Sequence, residues 1–240
     1  MFKQMVYSVS TSLALSLGNA YAFTIPITDA GWYDDTGTHT FFNNNYLVGD
    51  AQGTEYHNWF LFILSNYPTF TSATLRAYLN DSPPAPEDGY LSTDASETWS
   101  LWSVETDLST LYGGGGGLAA FIDLGSGTAY GSVNVTASDV GSFVEVDLNA
   151  SALAAMNAAN DAEKFWVIGG SITTLGDGDD AIFWFSQHRD DGLLFSPRVE
   201  LVVNESRPEP DPIPEPPLLV LFGLGVLGIS CSCKKVKGKT

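Results

Sequence analysis

The chain has 240 residues and a formal net charge of −18, from 28 acidic against 10 basic residues. Such an acidic surface repels nucleic acid and anionic lipid alike, and it suits divalent cations as partners. With 44% of residues apolar, the charge belongs to a folded chain and not to a disordered one.

The first 22 residues carry Lys3, then an apolar stretch including Leu13, Ala14, Leu15 and Leu17, and close on Ala20-Tyr21-Ala22, an A-x-A cleavage site. That is the pattern of a secretory signal peptide, and the lack of Cys in it argues against a lipoprotein. Residues 23–206 then have the length of one domain. Both cysteines, Cys231 and Cys233, lie beyond it, so no disulfide holds it together. Only Arg76, Lys164, Arg189, Arg198 and Arg207 are basic between positions 23 and 207.

Most of the domain reads as strands. Thr71–Leu79 alternates, with Ala73, Leu75, Ala77 and Leu79 on one face and Ser72, Thr74, Arg76 and Tyr78 on the other. Phe143–Leu148 and Arg198–Val203 alternate too, through Val144, Val146, Leu148 and Val199, Leu201, Val203. Tyr56–Leu64 is apolar on both faces, which predicts a central strand with another element covering its outer side. Further strands are predicted at Trp99–Val104, Ala119–Asp123, Gly131–Val135, Phe165–Gly170 and Ala181–Phe185, and one near Thr38–Phe42. Turn chemistry separates them, at Asp81-Ser82-Pro83-Pro84, Glu87-Asp88-Gly89, Gly125-Ser126-Gly127 and Gly176-Asp177-Gly178. One helix is predicted over Ala150–Asn160, capped by Asn149 or Ser151, with Leu153 and Met156 on one face. That helix would cover an end of the molecule or the outer side of the central strand. The expected fold is therefore all-β, a jelly-roll-type β-sandwich with one short helix.

Three groups of residues invite a functional reading. Asp177, Asp179 and Asp180 put three carboxylates and a flexible Gly178 in one loop, the hard oxygen set that calcium takes; an acidic solvated turn is the plain alternative. Asp190-Asp191-Gly192 and Asp34-Asp35 are weaker versions. Six tryptophans raise sugar stacking, since an exposed aromatic face packs against a pyranose ring. Trp32, beside Tyr33 and Asp34-Asp35, could sit at a rim. Trp99 and Trp102 lie an odd number apart on one strand, so one is core and the other faces out. Trp59, Trp166 and Trp184 sit in apolar strands and read as core.

Catalytic signatures are absent from the sequence. His39, His57 and His188 show no H-E-x-x-H or paired spacing, there is no G-x-S-x-G, and the domain has no cysteine nucleophile. A two-carboxylate glycosidase has the residue types it needs, but no pair stands out among so many acids. The run Gly113–Gly117 lacks the Lys-Ser/Thr of a phosphate loop and leads into an expected strand, so it reads as a plain loop.

The C-terminus has three blocks. A Pro/Glu-rich linker spans residues 207–217, an apolar segment spans 218–233, and a basic tail, 234–240, carries Lys234, Lys235, Lys237 and Lys239. As a helix the apolar segment would run about 24 Å, short of a hydrocarbon core of about 30 Å, with the lysines left on the cytoplasmic side. Pro214-Glu215-Pro216, the run Leu218–Ile229 and the lysines resemble the PEP-CTERM sorting signal of Gram-negative bacteria. That resemblance implies recognition by an exosortase, a transient stay in the inner membrane, and association with exopolysaccharide at the cell surface or in the matrix. An ordinary C-terminal anchor is the alternative.

The domain, through Thr71–Tyr78, Ser96–Val104 and Phe143–Ala159, more loosely resembles a module of PEP-CTERM and cyanobacterial-type secreted proteins. This second likeness implies a jelly-roll, carbohydrate-binding-like sandwich and names no ligand. The expected role is thus a non-enzymatic surface or matrix protein. A hydrolase or lyase on the same fold, and a structural component without a defined ligand, stay open beside it.

Overall fold

A computed structural model describes residues 21–41, 43–81, 89–162, 164–184, 187–188 and 196–206. Its strands are β1 (Tyr21–Pro26), β2 (Asp29–Asp34), β3 (Val48–Ala51), β4 (Thr54–Ile63), β5 (Phe70–Tyr78), β6 (Tyr90–Ser92), β7 (Glu97–Ser103) and β8 (Ala129–Val135). They continue with β9 (Phe143–Asp147), β10 (Phe165–Ile172), β11 (Asp180–Ile182), β12 (Gln187–His188), β13 (Ser196–Pro197) and β14 (Val199–Glu205). Three α-helices join them: α1 (Leu108–Tyr112), α2 (Gly117–Leu124) and α3 (Ala150–Asp161).

The strands make two main antiparallel sheets. The smaller has the order β1-β14-β5-β9. The larger, curled sheet has the order β6-β11-β3-β4-β10-β7-β8, with β2 also paired to β4. Alternation builds the space between them. Ala73, Leu75, Ala77, Val144, Val146, Val199, Leu201 and Val203 of the smaller sheet meet Phe60, Phe62, Trp99, Leu101 and Ile168 of the larger one in a single core. The chain is therefore an all-β sandwich, as its alternating segments predict.

The outer face of β4 carries a second, smaller core. Trp59 and Leu61, with Tyr33 of β2, pack under Leu111 of α1 and Ala120, Phe121 and Leu124 of α2. The expected cover exists, but part of it is built from residues read as a strand. Ala119–Asp123 is part of helix α2, so the described residues hold three α-helices and not one. The glycines before it form the connection: Gly114 and Gly117 sit at φ +72° and +56°, where a Cβ is disfavoured. At the head of α1, Asp107 accepts the Thr110 N–H and the Ser109 and Thr110 hydroxyls, and these bonds hold its carboxyl down at about 2.

Helix α3 begins at the expected cap, with Asn149 Oδ1 accepting the N–H groups of Ser151 and Ala152. Ala152 and Met156 enter the main core, where α3 packs against β5, β8 and β10, and so against both sheets. Of the expected Thr38–Phe42 strand, the described residues 38–41 are not extended in a sheet; Phe42 lies outside the described residues. Among the described residues no helix is long and apolar enough to cross a membrane. The signal-peptide residues 1–20, the Asp190-Asp191-Gly192 turn, Phe185, and all of 207–240, with Pro214, Glu215 and Pro216, lie outside them.

Candidate functional site

The sequence offers Trp32 as a rim residue, and the structure gives it neighbours. On β2, Ala30 points into the main core and Tyr33 under the helices, which leaves Trp32 partly buried at one end of the larger sheet. Its ring stands edge-on to Tyr56 of β4, with centroids 5.1 Å apart at 85°. The Trp32 carbonyl is fixed by Nδ1 of His39 at 2.7 Å. Trp32, Tyr56 and Trp184 line a cavity of about 190 Å³ together with Asn43, Asn45 and Leu47.

Trp184 reaches this cavity through a backbone turn. β11 ends at Ile182, and Phe183 adopts φ +60°, a costly conformation for a bulky residue. Its buried ring is held by Trp99 and Tyr46, with centroids at 4.8 and 5.3 Å. Trp184 then packs beside Leu47 and Tyr56. Burial first, and the nearby Asp34 second, push the Tyr56 phenol above its ordinary range. Asn43 Oδ1 is taken by the Asn45 N–H at 3.1 Å, so it is the aromatic faces, in a negative setting, that can take a neutral polyol and disfavour an anion. Asp34 itself is occupied by a turn, since its Oδ1 accepts from Thr36 N, Thr36 Oγ1 and Thr38 N.

The other expected stacking residues do not join this cavity. Trp99 is wholly buried against Phe60 and Phe183, so it has no face for a sugar. Trp102 lies on the opposite side of β7, as the odd spacing requires, and its Nε1 donates to Ser171 Oγ at 2.9 Å. Trp59 and Trp166 are core, as expected, whereas Trp184, read as core, is only partly buried. Tyr56 was the legible signal missed. It shares the parity of Asn58 and Phe60 on β4 but lies beyond the strand's apolar stretch.

The aspartate loop divides. Asp177 is exposed, and Asp179 Oδ1 accepts the Gln52 N–H at 2.6 Å. Asp180 turns inward on β11, where its Oδ2 accepts the Gly176 N–H at 2.5 Å. Its Oδ1 lies 3.1 Å from Ser92 Oγ, which is also 2.6 Å from Glu97 Oε1; Glu97 Oε2 accepts from the Thr174 hydroxyl at 2.6 Å. Asp94, Glu97 and Asp180 thus place carboxylate oxygens within 4.8 Å of one another, with Glu97 and Asp180 buried. Among the described residues the carboxylates close enough to share a hard cation are these, Asp94 and Glu97 from one stretch and Asp180 from β11, and Asp177 and Asp179 are not grouped with them. Glu97 has the parity of Trp99 and Leu101, which marks it as inward-facing. Its partners come from the β6–β11 pairing, which no local pattern announces.

His57 is also buried. Its Nδ1 lies 2.6 Å from the Phe121 carbonyl oxygen and its Nε2 3.0 Å from Glu55 Oε1, while its ring stacks on Phe121 at 3.9 Å. It ties α2 to β4. No family model matches this chain, and no curated protein is similar to it.

Proposed function

We propose that this chain is a secreted surface or extracellular-matrix protein that associates with exopolysaccharide without cleaving it. In this reading residues 1–22 direct export and Pro214, Glu215 and Pro216 are recognised by an exosortase. Residues 218–233 hold the chain in the inner membrane until processing delivers it to the surface or matrix of a Gram-negative bacterium. The domain between them is a jelly-roll-type, carbohydrate-binding-like sandwich.

The observation that carries the binding role is the cavity lined by Trp32, Tyr56 and Trp184 with Asn43 and Asn45. Indole and phenol faces pack on the C–H faces of a sugar ring. These groups bind a polyol but supply no acid–base pair, so association is preferred to hydrolysis.

The test is calorimetric titration of residues 23–206 with the producer's own exopolysaccharide. Saturable heat is expected, with binding at least tenfold weaker in Trp32→Ala at an unchanged circular dichroism spectrum. A protein that gives no heat at all would instead be a structural matrix component. Appearance of new reducing ends would make it a hydrolase.

A further inference from the structure

We propose that Asp94, Glu97 and Asp180 form a calcium site where the end of β6 and the starts of β7 and β11 come together.

The chain brings the group together in three steps. β6 ends at Ser92, β7 begins at Glu97 and β11 begins at Asp180. Glu97 shares the inward parity of Trp99 and Leu101, and its carboxylate is carried wholly below the surface. Asp180 stands opposite Ser92 in the β6–β11 ladder and is 2% exposed. Asp94 lies in the turn between β6 and β7 and is exposed, so the group has one side on the solvent. The carboxylate oxygens of the three acids lie within 4.8 Å of one another.

The group is short of one hydrogen. Ser92 Oγ lies 2.6 Å from Glu97 Oε1 and 3.1 Å from Asp180 Oδ1, and it accepts the Asp94 N–H at 3.0 Å. A serine hydroxyl has one hydrogen, and the shorter contact takes it. Asp180 Oδ1, on a buried side chain and turned into the group, is thus left against a hydroxyl oxygen with no hydrogen to give. The remaining oxygens meet neutral donors alone: Glu97 Oε2 has the Thr174 hydroxyl and Asp180 Oδ2 the Gly176 N–H. Among the described residues no Lys, Arg or His forms an ion pair with Glu97 or Asp180. Buried carboxylates are stabilised by a paired cation or by a metal, so the missing partner is a positive charge set between Asp180 Oδ1, Glu97 Oε1 and Asp94.

The donor set selects the ion. Every ligand is a hard oxygen, without nitrogen or sulfur, which disfavours a zinc or copper site. Calcium tolerates an irregular shell with oxygens up to about 5 Å apart across it, whereas magnesium needs near-ideal octahedral geometry about 4.2 Å across. Oxygens gathered from a turn and two strand ends, within 4.8 Å of one another, therefore suit calcium. The exposed side at Asp94 admits the waters that complete its shell. An ion here would tie the β6–β7 turn to β11, the strand that leads into Phe183 and Trp184.

The test uses the full chain in mild detergent, stripped with a chelator and titrated calorimetrically with calcium chloride, with no glycan present. One calcium per chain is expected, bound at least tenfold more tightly than magnesium. At about a hundredfold excess over Kd, calcium should raise Tm by about 5–10 °C. Asp94→Asn, at an exposed position, should keep the Tm of the chelated protein and bind calcium at least tenfold more weakly. Glu97→Gln should abolish binding yet fold, because its amide releases the Ser92 hydrogen to Asp180. Asp177→Asn, in the exposed loop nearby, should bind as the unsubstituted protein does. Neither heat nor a change of Tm with calcium overturns the site, as does a response that survives in both Asp94→Asn and Glu97→Gln. Loss of the response in Asp177→Asn alone places the ion on the outer loop and also overturns this site. Magnesium bound as tightly as calcium overturns the choice of ion. Because no glycan enters the titration, each of these results leaves the exopolysaccharide reading to its own test.

Discussion

Asp29 begins β2 with its carboxylate turned back on its own chain, Oδ1 accepting the Ala30 N–H at 2.9 Å. Burial raises its pKa above the ordinary 3.8, and the Ala30 bond and the charge of His39 only partly oppose that. The sign follows. The folded state holds this proton more tightly than the unfolded chain, so the ionised group costs stability above its folded pKa, and the cost disappears as pH falls toward 3.8. Asp29→Asn keeps an acceptor for Ala30 and has no charge to bury. The substitution is expected to leave Tm at neutral pH unchanged or higher. The advantage over the unsubstituted protein should shrink as the medium is acidified toward pH 4, a difference readable by thermal denaturation. A variant less stable at neutral pH, with a deficit that closes on acidification, would show that the charge itself is useful there. At this scale the sequence is a partial guide. Parity placed Trp99 and Trp102 on opposite faces and marks Glu97 as buried. It could not show that Asp180 leaves Asp177 and Asp179 to join Glu97, because that depends on which strands pair.

Among elements, α2 was the hardest to read. Ala119–Asp123 is a short apolar run, and periodicity over five residues cannot separate a strand from a helix. The glycines ahead of it signal a turn but carry no capping side chain, and the Gly116 N-cap makes no side-chain bond. What selects the helix is tertiary: the double-faced pattern of β4 demands a cover, and one helical face supplies Ala120, Phe121 and Leu124. Strands β2, β3 and β6 were unreadable for a related reason. They are short or hold Gly and Asp, and exist because β4 and β11 offer them edges. Where α2 ends, a Cβ on Gly125 would stand 2.1 Å from Cε1 of His57. Gly125 has φ −108°, open to any residue, so the obstacle is purely the ring. Gly125→Ala is therefore expected to cost about 1–3 kcal/mol in chemical denaturation. In a His57→Ala background, already weakened by the unpaired Glu55 and Phe121 acceptors, the same change should cost almost nothing. Equal costs in both backgrounds would refute the claim that His57 and Gly125 are coupled.

On the scale of the whole molecule, the two ends of the domain lie side by side. β1 pairs with β14 from Tyr21↔Glu205 to Pro26↔Glu200, so the chain enters and leaves along neighbouring strands. Cleavage after Ala22 would remove the first two paired residues and keep Phe23 through Pro26, including the buried Ile25. The last buried core residue is Val203, and Ser206 closes the domain by donating its N–H to Thr69 O at 2.9 Å. All of the described core thus lies at or before Val203. Deleting Pro208–Thr240 should leave the Tm of the domain within measurement error of the processed protein, because no packed apolar side chain of that core is removed. It should also change where the protein is found. If the chain is exported as proposed, loss of the apolar segment and its lysines leaves a domain of strong negative charge with nothing to hold it against an anionic envelope. Fractionation of the producing cells is expected to find the truncated protein in the medium, with Phe23 at its N-terminus. Retention in the envelope at the level of the full chain would mean that the domain itself, and not the tail, is what anchors it.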